Sequence, residues 1–251
     1  MPTDQSPTAL PSLRERRRAV AVREILTAAE EHIDAQGPAA LSLRAVARSL
    51  GMTVQALYHY FPSRDALVTA LITKAYDDLA DAVSAAVDTS SATASDDTTA
   101  TTALPRLVAA AEGYRAWAIR HPERFQLLYG APLRHYEAPV DGPTTQAVQR
   151  MSAIFRRELF AGFTTAQLAA ADTEDLSPSL RAHLQHLPPD ALGALPPPAA
   201  SLFLSAWGHL HGLVVLEVFG HTAFIGTHQA EIFRVAMGNL VKDVRGRIST
   251  E

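Results

Sequence analysis

Between residues 53 and 64 the chain gathers side chains suited to one kind of chemistry: Thr53, Gln55, Tyr58, His59, Tyr60 and Arg64. A glutamine amide can pair bidentately with the edge of adenine, and the methyls of Thr53 and Val54 can touch a thymine methyl. Hydroxyls, imidazoles and guanidiniums suit phosphate and sugar. No residue group has the spacing that catalysis needs. A Gly-rich phosphate loop, a nucleophile elbow and an HExxH pair are all missing, and the Ser, His and Asp residues are scattered. The chain holds no cysteine, which excludes a disulfide scaffold and a thiolate zinc site. His209 and His211 point to different helix faces. His183 and His186 stand at i and i+3 without an acidic or Cys partner nearby, so no metal, no cofactor and no enzyme activity are expected.

The elements that would position these groups can be read from periodicity. Residues 41–61 run LSLRAVARSLGMTVQALYHYF. Leu43, Val46, Ala47 and Leu50 form the inner face of a short helix that Ser42 can cap, Gly51 closes it, and Thr53 can cap the next. Two short helices around a glycine turn are what a helix-turn-helix requires, although ordinary helical hairpins share that spacing. A helix precedes them, with Val22, Leu26, Ala29 and Ile33 on one side and Gly37-Pro38 as its stop. Another follows, capped by Ser63, with Val68, Ile72, Ala75, Leu79 and Val83 in line. The net charge of -4 conceals a split: nine Arg/Lys against six acids leave residues 13–74 at +3 and the rest of the chain at -7. A basic end localises phosphate attraction. The run Arg14, Arg16, Arg17 and Arg18 fits either an extra arm reaching DNA or a solvated charge run.

Residues 19–75 resemble the DNA-binding domain of the TetR/AcrR family of one-component regulators. The likeness rests on the helix ending at Gly37, on LSLRAVARSLGMT, and on LYHYFPSRDAL, where the family often has Lys in place of Arg64. The resemblance implies an all-α fold: an N-terminal three-helix helix-turn-helix domain followed by a helical-bundle effector and dimerisation domain. It makes Thr53, Val54 and Gln55 the base-reading start of the recognition helix and places Arg44 at the groove edge. Ser42, Tyr58, His59, Tyr60 and Arg64 are then contacts to phosphate and sugar, with one tyrosine left open as core. Leu57 and Phe61 read as core.

The C-terminal part carries fainter likenesses to one branch of that family: YRAWAIRHPERFQLLY at 114–129, and the Trp207, His211 and Gly212 of AWGHLHGLVVLEVFGH. Tyr114, Trp117, Phe125, Tyr129, Phe155, Trp207 and His211 are candidates to line a largely apolar effector pocket, each also readable as plain core. Ala199–Leu216 has no charged residue, but its Ser201, Ser205, His209 and His211 and its flanking prolines suit a buried or interface helix better than a membrane span. That helix has two apolar stripes and therefore needs two partners. Gly208 and Gly212 would each cost about 1 kcal/mol in its interior, which suggests close approach of a neighbour or room for a ligand. The family pairs its last two helices across a two-fold axis, so Leu202, Ala206, Leu213, Phe233, Met237, Leu240 and Val244 are the expected dimer contacts.

The expected layout is therefore a disordered tail at 1–12, the helix-turn-helix domain at 13–63, a connecting helix at 64–87 and a flexible Ala/Asp/Ser/Thr loop at 88–103. An effector-binding and dimerisation domain at 104–251 completes it. The resemblance implies a cytoplasmic homodimer, not associated with membrane, whose partners are double-stranded operator DNA and a small effector. Repressor is favoured over activator only because most relatives are repressors, and an effector-independent DNA-binding protein is the other alternative, against which the large aromatic C-terminal part argues.

Overall fold

The computed structural model describes residues 12–96, 106–130, 133, 136–137, 139, 142–192 and 194–248. Among these residues the regular structure is entirely helical. α1 (Leu13–Gln36) opens on a capping box: the Ser12 hydroxyl accepts from the Glu15 N–H while the Glu15 carboxylate accepts from the Ser12 N–H. The expected tail at 1–11 lies outside the described residues. The arginine run Arg14–Arg18 is folded into the first turns of α1.

α2 (Leu43–Ser49) and α3 (Val54–Tyr58) follow, then the long α4 (Arg64–Asp96). α4 runs nine residues past the expected end at 87, into the stretch expected as a flexible loop. Alanine favours helix there, and Thr89 and Ser91 donate to the carbonyls of Ala85 and Val87 one turn back, so their hydroxyls do not compete with the helix ladder. Residues 97–103 of that loop lie outside the described residues.

The C-terminal part comprises α5 (Arg106–Arg120), α6 (Pro122–Tyr129), α7 (Pro143–Leu159), α8 (Thr165–Ala169), α9 (Pro178–Gln185), α10 (Pro189–Leu192), α11 (Pro197–Val218) and α12 (Gln229–Gly246). α5 lies close along α4: a Cβ on Gly113 would stand 2.7 Å from that of Ala86, so the contact needs glycine. α11 is long and apolar enough to cross a membrane, but Leu202, Phe203, Ala206, Leu210 and Val214 pack into the bundle.

Two hydrophobic cores result. The first joins Ile25, Ala29 and Ile33 of α1 to Val46, Leu57, Phe61 and the Leu67–Leu71 turns of α4. The second unites the rest of α4 with α5, α7, α11 and α12. The boundary between the cores is bridged. α4 serves both, and α6 places Phe125 in the second core and Leu127 in the first. Charges join the same seam: the Glu30 carboxylate, 6% exposed, lies 3.0 Å from Lys74 of α4. Arg124 of α6 pairs with Asp34 at 2.7 Å and stands 3.6 Å from Glu30.

Candidate nucleic-acid interface and effector pocket

α3 is short, so its ends depend on caps. The Thr53 hydroxyl accepts from the Ala56 N–H at 3.1 Å, and Gly51 turns the chain from α2 with φ +63°. Leu57 and Phe61 face inward, fully consistent with a core role. That orientation leaves Thr53, Gln55, Tyr58 and His59 exposed and Val54 half-buried at the leading edge of the helix. Arg44 is exposed on α2 and has no ion pair among the described residues. Ser42 occupies the N-cap of α2 without a capping hydrogen bond from its side chain. Ser63 does cap α4, accepting from the Ala66 N–H at 3.0 Å.

Two of the expected phosphate contacts have structural duties. Arg64 is half-buried and donates through Nε to the Leu41 carbonyl at 3.4 Å, which ties α4 to the start of α2. Tyr60 is the tyrosine that turns inward: it packs against the first core, and the Arg18 guanidinium covers its ring at 5.4 Å. Arg18 also donates to the His59 carbonyl at 3.1 Å. Sequence reasoning missed this clasp between α1 and the end of α3, because the partners are 41 residues apart. Arg14, Arg17, Arg18, His59 and Tyr60 together line an open basic groove beside the end of α3.

The second site is an aromatic cluster between the helices of the C-terminal core. Tyr114, fully buried on α5, is its hub, with ring centroids of Phe125, Phe155, Trp207, His211 and Tyr129 at 5.5–6.4 Å. Edge-on geometry predominates, as aromatic quadrupoles favour. Trp207 stacks on His211 at 5.5 Å, and the Tyr114 hydroxyl shares a 2.8 Å hydrogen bond with His211 Nδ1. Six of the seven expected residues are thus brought together. Trp117 is the exception; it packs against His121. Tyr76 of α4, which the sequence reading did not single out, joins edge-on to Tyr129 at 5.8 Å. Its signal was available, since Ile72, Tyr76, Leu79 and Val83 share a helical face.

Burial sets the protonation of this cluster. It raises the Tyr114, Tyr129 and Tyr76 phenols, keeping all three protonated, and lowers His211 from 6.5, favouring neutral imidazole. The Tyr129 hydroxyl neighbours those of Tyr76 and Tyr114, yet it is buried without a hydrogen-bond partner among the described residues. Such a group typically costs about 1–3 kcal/mol. Next to the cluster, a crevice between α5, α7, α11 and α12 is walled by Leu107, Phe155, Phe203, Trp207, Met237 and Leu240.

The expected dimer face is corrected by this packing. Leu202, Ala206, Phe233, Met237 and Val244 are buried in the chain's own core, and Leu213 and Leu240 are half-buried. The outward apolar residues of the last two helices are Leu204, Leu216, Ile232 and Val235, with Phe219 just past α11. Helical periodicity reveals two stripes on α11 but cannot say which one faces the protomer. At Gly208 and Gly212 of α11 and Gly238 of α12, nothing beyond the helix's own backbone and the adjoining residues comes within 4 Å of where a Cβ would stand among the described residues.

The comparisons with known proteins agree with this architecture. Residues 25–71 match the family described as bacterial regulatory proteins, tetR family, and residues 107–240 match the tetracyclin repressor-like C-terminal domain. The chain belongs to the TetR family. It is 41% identical over 142 residues to the HTH-type transcriptional regulators Rv1816 of Mycobacterium tuberculosis and Mb1846 of Mycobacterium bovis. That match spans 57% of this chain and about half the length (56%) of those relatives. Among solved structures, regulatory protein SCO4313 is 33% identical with a TM-score of 0.69, covering 92% of this chain and all of that one. A protein of unknown function from Rhodococcus sp. RHA1, at 22% identity and TM-score 0.59 over 96% of this chain and 99% of its own, shares the fold.

Proposed function

We propose that the chain is a cytoplasmic, ligand-responsive transcription repressor that grips a palindromic operator as a homodimer and lets go when a small molecule occupies the aromatic cluster. The observation that carries this reading is the pairing of two sites on one frame. An exposed, polar α3 sits at one end, a cluster of buried rings sits at the other, and α4 and α6 have residues in both cores. In this reading Gln55, Val54 and Thr53 touch bases, and Arg44, Ser42, Tyr58 and His59 touch the backbone. Arg14 and Arg17 join them, because their groove continues the exposed surface of α3. Arg64 and Tyr60 contribute chiefly by holding the helix-turn-helix in place.

Two recognition helices must meet successive major grooves about 34–36 Å apart, which a two-fold dimer achieves. Leu204, Leu216, Phe219, Ile232 and Val235 form the contact in this reading, and the glycines without neighbours admit the partner's helices. A ligand that displaces Phe125 or Tyr129 moves α6 and with it Leu127 and Arg124, altering the seat of α1. Differential affinity for the two arrangements is sufficient for release. Footprinting on DNA beside the chain's own gene, across a salt series, tests the reading. A protected palindrome with a steep salt slope is expected. Binding of equal strength on every sequence would sink it.

A further inference from the structure

The chemistry of the aromatic cluster narrows what its ligand can be. Phe155 and Trp207 are shared walls: they line the crevice, and they also contact the Tyr114 ring, at 5.9 and 5.5 Å. The crevice offers a ring only apolar and aromatic neighbours. Beyond those shared walls the hydrogen-bonding groups are phenols and one imidazole: Tyr114, Tyr129, Tyr76 and His211. The Tyr129 hydroxyl is buried between those of Tyr76 and Tyr114 but makes no well-formed hydrogen bond among the described residues, so it can turn to one further polar group.

The surrounding charges are already committed. Arg115 pairs with Glu217, and Arg106 pairs with Glu158. A carboxylate or ammonium entering the cluster would lose its hydration and find no opposite charge. We propose that the ligand of this site is a small, neutral aromatic molecule bearing a hydroxyl, its ring in the crevice and its hydroxyl bonded to the Tyr129 and Tyr114–His211 group. A hydroxyl suits the position because it both donates and accepts, as do the phenols around it. Apolar pockets with a few placed polar groups bind in this way; the crevice as it stands, about 20 Å³, has room for one water, so Trp207 must swing to make space for a ring and to join crevice and cluster. The inference rests on the sensor reading above but has its own test.

The probes are 4-methylphenol, toluene and 4-methylbenzoate, titrated into the full chain at pH 7.5 with tryptophan fluorescence and calorimetry as readouts. 4-Methylphenol is expected to bind about tenfold more tightly than toluene, the worth of one net hydrogen bond. No saturable binding of 4-methylbenzoate is expected over the same range. Tyr129→Phe removes a hydroxyl that makes no well-formed hydrogen bond among the described residues, so the variant should stay folded and bring 4-methylphenol down to the level of toluene. Equal binding of the phenol and toluene, tight binding of the carboxylate, an undiminished phenol preference in Tyr129→Phe, or no binding of any probe would overturn the assignment. Footprinting with the same probes separates the two claims. Phenol binding without operator release defeats the sensor reading alone. Release by a charged compound, with no phenol binding, defeats the ligand class alone.

Discussion

At the scale of single residues, exposure divides the candidate DNA contacts into two kinds of role. Gln55 is exposed on the leading turn of α3, and the proposed function makes it a base reader. Gln55→Ala is therefore expected to relax discrimination at one operator position by about 1–3 kcal/mol, measured by competition between point-mutated sites. Arg14→Ala with Arg17→Ala removes two charges that make no ion pair among the described residues. It should weaken all sequences alike and reduce the salt slope by about two. A change in sequence preference from the arginine pair would contradict that division. His211 supplies a pH prediction. Burial lowers its pKa below 6.5, so the unfolded chain binds the extra proton first as pH falls. The stability due to neutral His211 is present above about pH 6.5 and lost as pH falls through the lower folded value. His121 is lowered too, by burial and then by Arg124, and acts in the same direction. Urea unfolding at pH 7.5 and 5.5 should show a stability loss that shrinks in His211→Gln; an unchanged loss would remove His211 as its source.

At the scale of elements, the helix-turn-helix depends on its turn as much as on its helices. Gly51 holds φ +63° while nothing beyond its chain neighbours comes within 4 Å of its absent Cβ among the described residues. A substitution there meets backbone strain without crowding. Gly51→Ala should cost about 1–2 kcal/mol of stability and weaken operator binding, as read by denaturant midpoint and gel shift. A neutral result would mean the turn relaxes freely. Helix existence here was plain in the sequence, because Leu43, Val46 and Ala47 repeat at helical spacing and Thr53 and Ser63 are visible caps. The end of α4 was not visible. Composition alone made residues 88–96 a linker, whereas Thr89 and Ser91 turn their hydroxyls back onto the helix. Nor did periodicity reveal that α6 divides Phe125 and Leu127 between two cores, since eight residues cannot show which neighbour each side chain meets.

At the scale of the whole molecule, the proposed dimer would rest on the apolar face that the protomer leaves uncovered. Leu204 and Val235 are 48% and 57% exposed, so charging them disturbs little inside the protomer. Leu204→Glu with Val235→Glu is expected to convert a dimer to a folded monomer in light scattering and to cost most of the operator affinity. A variant that stays dimeric with full affinity would place the interface elsewhere. The sequence by itself determined the helical class and the helix-turn-helix, because these follow from local periodicity, caps and a motif confined to residues 41–64. It also named Tyr114 and the five rings that meet around it. Only the tertiary structure decided which stripe of α11 is core, that Tyr60 and Arg64 brace the helix-turn-helix, and that the Tyr129 hydroxyl is buried between those of Tyr76 and Tyr114. Those outcomes depend on packing between residues far apart in the chain, and a local pattern holds no information about which distant surface arrives to cover it.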